Sequence, residues 1–379
     1  LSSLTWIDGS NAEAERVRRV LALFDRPEAL DELGLGSIRD TLSDLLFPGT
    51  STIQTRLRYM LFVPWIYARL SPSLTARPLA AELRKEESRL IDALRVHKGE
   101  TGIIGIEAGI KVRRLASEIY WGGLGTWGIR TFTGSQAVYH RARSALTMPA
   151  WSAELPNPPK GFPDKADLVL TAEEKTYLHD RLAMLSSQDG PVYLSLVASH
   201  GGTEGGMPWQ HPAQKRAPPH VRRILDQARL FSAVMFGATL LYKTQLARLC
   251  ALETAPEFEE DFLSWASGSY EGAEFLPDEI GNWDLEQLRR IAVHPAHRIA
   301  PLAWEFVGRW LQLARGNRAR LLDSQEAAML ITLRESSLKQ RRARLSEPEA
   351  RSGWLGRTGY TPLNFRWNLV RRYLADFSA

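Results

Sequence analysis

Apolar residues three and four positions apart recur along most of these 379 residues, while clean alternation over six or more residues is scarce. That spacing places apolar side chains on one face of an α-helix, and its dominance predicts a mainly α, multi-helical fold. Ser10 is placed to cap a helix carrying Val17, Val20, Leu21 and Phe24. Residues 37–47 predict a second helix, ended by Pro48-Gly49. A third is expected from 50–52 through Ile53, Leu57, Met60 and Leu61 until Pro64 perturbs it. Residues 78–96 repeat the pattern with Leu79, Leu83, Leu90 and Leu94. A long helix is expected over 221–252. Its most apolar stretch, 230–242, is too short to span a bilayer and predicts a buried core helix rather than a membrane segment.

Proline and glycine divide the chain. Residues 149–163 hold prolines at 149, 156, 158, 159 and 163, the clearest sign of a linker. The expected layout is an N-terminal helical domain at 1–148, that linker, a central helical region at 164–286 and a C-terminal helical region at 287–379. The central region contains a Gly/Pro-rich loop at 199–219. A single cysteine, Cys250, excludes an intramolecular disulfide and an all-cysteine metal site. With no secretory leader pattern, a cytoplasmic protein is expected.

Charge is unevenly spread. The chain carries a net +5, whereas residues 334–379 alone carry +6. Residues 253–286 hold eleven acidic side chains and no Lys or Arg, and 287–379 then carry +10. Either the two segments pair within the fold, or the basic one meets a polyanion. Arg341, Arg342, Arg344, Arg366, Arg371 and Arg372 are the candidate phosphate contacts, with Trp354, Tyr360 and Trp367 interleaved as candidate stacking groups. From Leu363 to Phe377 the apolar stripe Leu363, Trp367, Val370, Leu374 and Phe377 must dock on something, and Arg366, Arg371 and Arg372 lie off it.

Two stretches carry the pattern of a small helix-turn-helix or winged-helix unit in the N-terminal part. In the first, 38–47 and a Pro-Gly turn precede a segment with Gln54, Arg56 and Arg58, which makes Arg56 and Arg58 a second candidate contact. In the second, Lys111, Arg113 and Arg114 precede a glycine-rich run. Within that run Gly123-Leu-Gly125-Thr-Trp-Gly128 has the form GxGxxG. It lacks a preceding strand and an acidic residue about 20 positions on, so a turn anchored by Trp127 is the better expectation than a dinucleotide site. Asp164, Glu173 and Lys175 resemble a metal-dependent nuclease arrangement, yet Thr171-Ala-Glu-Glu174 also reads as a capping box opening a helix. His200, Glu204, His211 and His220 gather in the Gly/Pro-rich loop beside Lys215 and Arg216, at spacings that match no zinc pattern. No cofactor motif and no metal site is expected.

The segments Leu4-Thr-Trp-Ile-Asp8 and Asp31-Glu-Leu-Gly-Leu-Gly-Ser-Ile-Arg-Asp40 are distinctive. So, above all, is Leu46-Phe-Pro-Gly-Thr-Ser-Thr-Ile-Gln-Thr-Arg56 with Arg58-Tyr-Met-Leu-Phe-Val-Pro-Trp-Ile-Tyr67. Together with Ser117-Glu-Ile-Tyr-Trp121, Trp127-Gly-Ile-Arg130, Ala228-Arg-Leu-Phe-Ser232 and Phe365-Arg-Trp367, they resemble an uncharacterised, domain-of-unknown-function family of bacterial proteins. The resemblance implies a place in bacterial defence loci, beside helicase or phospholipase-D-like nuclease partners. It brings no catalytic residues. The expectation is therefore a DNA- or RNA-binding accessory component of an antiphage system without catalysis of its own. A protein-interaction scaffold and a metal-dependent nuclease, using Asp164, Glu173 and Lys175 or the His200–His220 loop, are the alternatives.

Overall fold

The structure is a computed structural model that describes residues 31–379 except 98, 355 and 357–359. The expected Ser10-capped helix lies outside the described residues. The described chain is mainly α: its only strands are β1 (Ser186–Ser187) and β2 (Gly190–Pro191), a two-residue antiparallel pair. It divides into two compact units. The first holds 1–41 and 226–363, the second 42–225 and 364–379.

The helices begin with α1 (Gly36–Leu46), α2 (Tyr59–Arg69), α3 (Ala76–Arg95), α4 (Ala116–Thr126) and α5 (Gln136–Ala142). There follow α6 (Ala172–Ala183), α7 (Tyr193–His200), α8 (Pro219–Leu249), α9 (Ala255–Ala266), α10 (Pro277–Asn282) and α11 (Leu285–Ile291). The last are α12 (Pro301–Ala314), α13 (Gln325–Lys339), α14 (Pro348–Arg351) and α15 (Trp367–Ser378).

In the first unit α8 is the organising helix. It is long and apolar enough to cross a membrane, but 72% of its most apolar window is buried inside the protein. Trp265 of α9 and Trp310 of α12 stack at 6.1 Å and donate their indole N–H groups to the carbonyls of Ala233 and Val234. Gly237 permits this approach: a Cβ there would lie 2.1 Å from the Trp265 ring. Two large aromatic residues thus bury their rings while satisfying their only polar atom.

In the second unit nine consecutive residues of α2, Tyr59 to Tyr67, are buried, so a helix with no polar face forms the centre. Phe62 stacks on Phe162 at 5.6 Å, and Trp65 donates to the Pro156 carbonyl at 2.6 Å. The proline-rich stretch 149–163 therefore packs against the core of this unit. Pro64 lies inside α2. The expected helical start at 50–52 is displaced: 50–57 forms turns and α2 begins at Tyr59. Local side-chain bonds explain the difference. The Thr50 hydroxyl donates to the Phe47 carbonyl at 2.6 Å, and Gln54 both donates to Gly49 and accepts from the Ser51 N–H. Such bonds offer the backbone an alternative to helix.

No helix-turn-helix reading head forms, because Gln54, Arg56 and Arg58 do not lie on a helix. Lys111 ends a short 3-10 turn, and Arg113 and Arg114 are exposed between it and α4. The GxGxxG run differs too: Gly123 and Gly125 lie inside α4 rather than in a turn. A Cβ at Gly123 would lie 2.4 Å from the Gly49 carbonyl. The glycine lets α4 meet the Pro48-Gly49 turn, where Trp127 donates to the Pro48 carbonyl at 3.0 Å.

Glu87 of α3 is 2% exposed, facing the N-terminus of α4, where the Ser117 N–H approaches it at 3.3 Å. Burial raises its pKa to about 7, against the Ser117 and Ala116 donors that favour the anion. A carboxyl with a folded pKa above its unfolded value lowers stability as pH rises between the two. The Glu87→Gln variant should therefore match the parent near pH 4.5 and exceed it at pH 8. Between the ordinary 4.5 and about 7, at 1.36 kcal/mol for each pH unit, the gain is at most about 3.4 kcal/mol. Urea melts at both pH values measure it; equal stability at pH 8 contradicts the assignment.

Candidate nucleic-acid interface

The eight candidate arginines separate by what surrounds them. Arg58 is 3% exposed, with Nη1 2.5 Å from Asp167 and Nη2 2.7 Å from Glu174, itself 3% exposed. Arg56, 12% exposed, bonds Glu100 and Asp376, each at 2.8 Å. Arg366, 9% exposed, bonds Asp44 at 2.5 Å and the Thr50 carbonyl at 2.7 Å. These three guanidinium groups fasten distant segments of the second unit together, and no phosphate reaches them without breaking an ion pair. Arg371 is half-buried and donates to the Thr203 carbonyl, whereas Arg372, on the next position of α15, is exposed.

The first unit treats its arginines differently, and the reason lies in two buried carboxylates. Glu32 is 6% exposed and Glu335 is fully buried. Lys339 bonds both, Arg344 bonds Glu32 at 3.0 Å, and the Tyr242 hydroxyl donates to Glu335 at 2.6 Å. The Leu345 N–H completes the set on Glu335 at 2.8 Å. Two anions thus meet two cations and neutral donors, as buried charge requires.

Between Lys339 and Arg344 the chain must turn. Gln340 does this with φ 50°, a left-handed conformation uncommon for a non-glycine residue. A 3-10 turn, Gln340–Arg342, follows, and Ala343 and Leu345 return to the core. Arg341 and Arg342 are left at the tip, both exposed and with no ion pair to any described residue. Of the basic run, the outer members are spent on structure and the middle pair faces solvent.

Four acids of the segment 253–286 pair with arginines outside the C-terminal run. Glu259 pairs with Arg248 at 2.7 Å, Glu279 with Arg229, Glu286 with Arg289 at 2.8 Å and Asp284 with Arg290 at 3.6 Å. Asp261 accepts from the Tyr360 hydroxyl. Among the described residues none of these acids pairs with the six C-terminal arginines. The expected stacking groups are core residues instead: Trp354 is 6% exposed and Trp367 fully buried. In the stripe on α15, Trp367, Val370 and Leu374 are buried, while Leu363 and Phe377 are half-buried.

Sequence reasoning gave less weight to a second basic surface, on the second unit. The Gly/Pro-rich loop folds onto α15: Trp367 donates to the Gly205 carbonyl at 2.9 Å and Arg371 to that of Thr203 at 2.9 Å. His211 is fully buried, its ring 5.4 Å from Trp367 and 5.3 Å from His200. Its Nδ1 accepts the Ala213 N–H at 3.3 Å, so neutral His211 carries its proton on Nε2. That nitrogen lies 3.8 Å from Glu204 and has no aligned acceptor. Burial and His200 hold the His211 pKa below its ordinary value, offset by Glu204 and the nearby Gly201 and Gly202 backbone. His220 stands apart, against the Pro191 carbonyl at 3.0 Å. Beyond His211, Lys215, Arg216, Arg222 and Arg223 are exposed. Their clustering within nine residues was the available signal.

Of the nuclease-like triad, Asp164 is taken up by an ion pair, and Lys175 is half-buried. Arg89 donates to both oxygens of Asp164, from Nε at 3.0 Å and from Nη2 at 2.5 Å. Glu174 closes the capping box with Thr171 that the sequence suggests. Glu173 is exposed on the first turn of α6.

Fold and surface together define a mainly α-helical protein with solvent-facing arginines. The chain belongs to a family of unknown function (DUF6361), whose family model matches residues 1–379. No curated protein and no solved structure matches it.

Proposed function

We propose that this protein binds DNA or RNA through phosphates, without catalysis of its own, as an accessory component of a bacterial antiphage defence system. The observation that carries the reading is the exposure of Arg341 and Arg342, whose neighbours Lys339 and Arg344 already neutralise Glu32 and Glu335. Exposed guanidinium groups at the tip of a turn suit phosphate oxygens in geometry and charge. Arg372, Lys215, Arg216, Arg222 and Arg223 supply further charge on the second unit. The defence setting, with a helicase or phospholipase-D-like nuclease as partner, rests on the family resemblance. Mobility shifts with labelled single- and double-stranded DNA and with RNA test the binding. Retardation at 50 mM salt that fades by about 200 mM supports it, since bound phosphates release counterions.

A further inference from the structure

One aromatic ring of the second unit stands at the edge of its core, just ahead of the basic cluster. Trp209 lies on a short 3-10 turn, Pro208–Gln210, and is half-buried, its ring edge-on to Phe365 at 6.3 Å. Trp65, Trp127 and Trp367, buried in the same unit, each donate their indole N–H to a carbonyl. The N–H of Trp209 meets no acceptor among the described residues and is open to solvent. The turn itself is held firmly. The Tyr193 hydroxyl donates to the Pro208 carbonyl at 2.7 Å, the Gln210 side chain accepts the Met207 N–H at 3.0 Å, and His211 is fully buried. A ring fixed in this way loses little freedom when a flat partner stacks on it.

Charge follows directly along the chain. A second 3-10 turn, Pro212–Arg216, places Lys215 and Arg216 at its end, and α8 then begins at Pro219 with Arg222 and Arg223 at the close of its first turn. All four are exposed, and none has an ion pair among the described residues. Ala213, Ala217, Val221 and Leu225 between and beside them are buried, so the cations form the outward side of packed turns. No acidic residue occurs from 205 to 225. The dipole favours acids in the first turn of a helix, and α8 has none there. Packing within the unit accounts for the buried residues of this stretch but not for its four charges. Six positions along two tight turns separate Trp209 from Lys215, so the ring and the first of the charges lie within roughly 20 Å.

We propose that this corner binds single-stranded nucleic acid, with Trp209 stacked on a base and Lys215, Arg216, Arg222 and Arg223 along the sugar-phosphate backbone. The inference rests on the nucleic-acid reading above and narrows it to one strand state. Stacking on a side chain needs a base whose face is open, and in a duplex both faces are taken by neighbouring pairs. An aromatic platform beside a basic track therefore selects an unpaired strand, and it does so whatever the base, because every base has a π-face.

Fluorescence anisotropy of the full chain at about 50 mM salt, with labelled oligo(dT), oligo(U) and a duplex of equal length, tests this. At least one of the single strands should bind roughly tenfold tighter than the duplex, and the tighter of the two identifies DNA or RNA as the source. Trp209→Leu keeps an apolar group against Phe365. It should weaken single-strand binding roughly 5- to 100-fold, the range for one stacked base, and leave duplex binding and the salt slope unchanged. Trp209→Phe should restore most of that loss. Lys215→Glu with Arg216→Glu should instead flatten the log–log salt slope by about 1.4, at roughly 0.7 for each single-strand contact removed. Equal binding of single strand and duplex by the parent, a Trp209→Leu variant that holds single strand as the parent does, or a Trp209→Phe variant as weak as Trp209→Leu overturns the inference and leaves the nucleic-acid reading standing. A parent chain that binds none of the three oligonucleotides overturns both.

Discussion

Replacing Arg58 with alanine should destabilise the protein by about 3–5 kcal/mol, the usual cost of leaving a buried ion-pair partner uncompensated. Glu174, 3% exposed, loses its 2.7 Å partner, and Asp167 loses its own at 2.5 Å. The link closes 109 and 116 positions of chain, so the lesion falls on the tie between the residue before α2 and the first turn of α6 rather than on one helix. Urea melts at pH 7 measure it. Arg58→Met with Glu174→Leu, which removes both charges, should recover much of the loss; a single-variant cost under 1 kcal/mol contradicts this role. Arg58 was a candidate phosphate contact on sequence grounds. A large stability loss places it instead among the groups that build the surface on which contacts sit.

The second large effect concerns binding. Arg341→Glu with Arg342→Glu should leave the melting profile within about 0.5 kcal/mol of the parent, because exposed side chains away from structural features contribute little. Nucleic-acid affinity should fall roughly 10- to 100-fold at 50 mM salt, across all sequences alike. The slope of log K against log salt should flatten by about 2, one unit for each phosphate contact removed. Lys339→Met is the informative counterpart. It leaves Glu335 with one cation fewer, so stability should drop while the slope hardly changes. Equal affinity for the parent and the double variant removes the Arg341–Arg342 turn from the interface.

How far the sequence disclosed this arrangement depends on how local each determinant is. The stripe Leu79, Leu83, Leu90 and Leu94 is fully buried on α3, and the capping box at Thr171 forms as written. Both are set by residues within one or two helical turns. The segment 50–57 looked helical because its apolar spacing is helical, yet Thr50 and Gln54 satisfy the backbone locally and stop the helix. The fate of each arginine was not legible at all. Arg344 is joined to a carboxylate 312 positions away and Arg366 to one 322 away, whereas Arg341 and Arg342 meet none among the described residues. Nothing in a run of Arg, Arg, Ala, Arg distinguishes the members that turn inward. That distinction comes from Ala343 and Leu345 returning to the core, which fixes which side chains the turn directs outward.

The central claim is that solvent-facing arginines give this helical protein a phosphate-binding surface, and salt dependence tests it most directly. Fluorescence anisotropy of a labelled oligonucleotide, titrated with the purified parent chain from 50 to 200 mM salt, reads affinity and slope together. The account predicts saturable binding at 50 mM with a log–log slope of about −2 or steeper. No binding at 50 mM to single-stranded DNA, duplex DNA or RNA, or an affinity indifferent to salt, would contradict it.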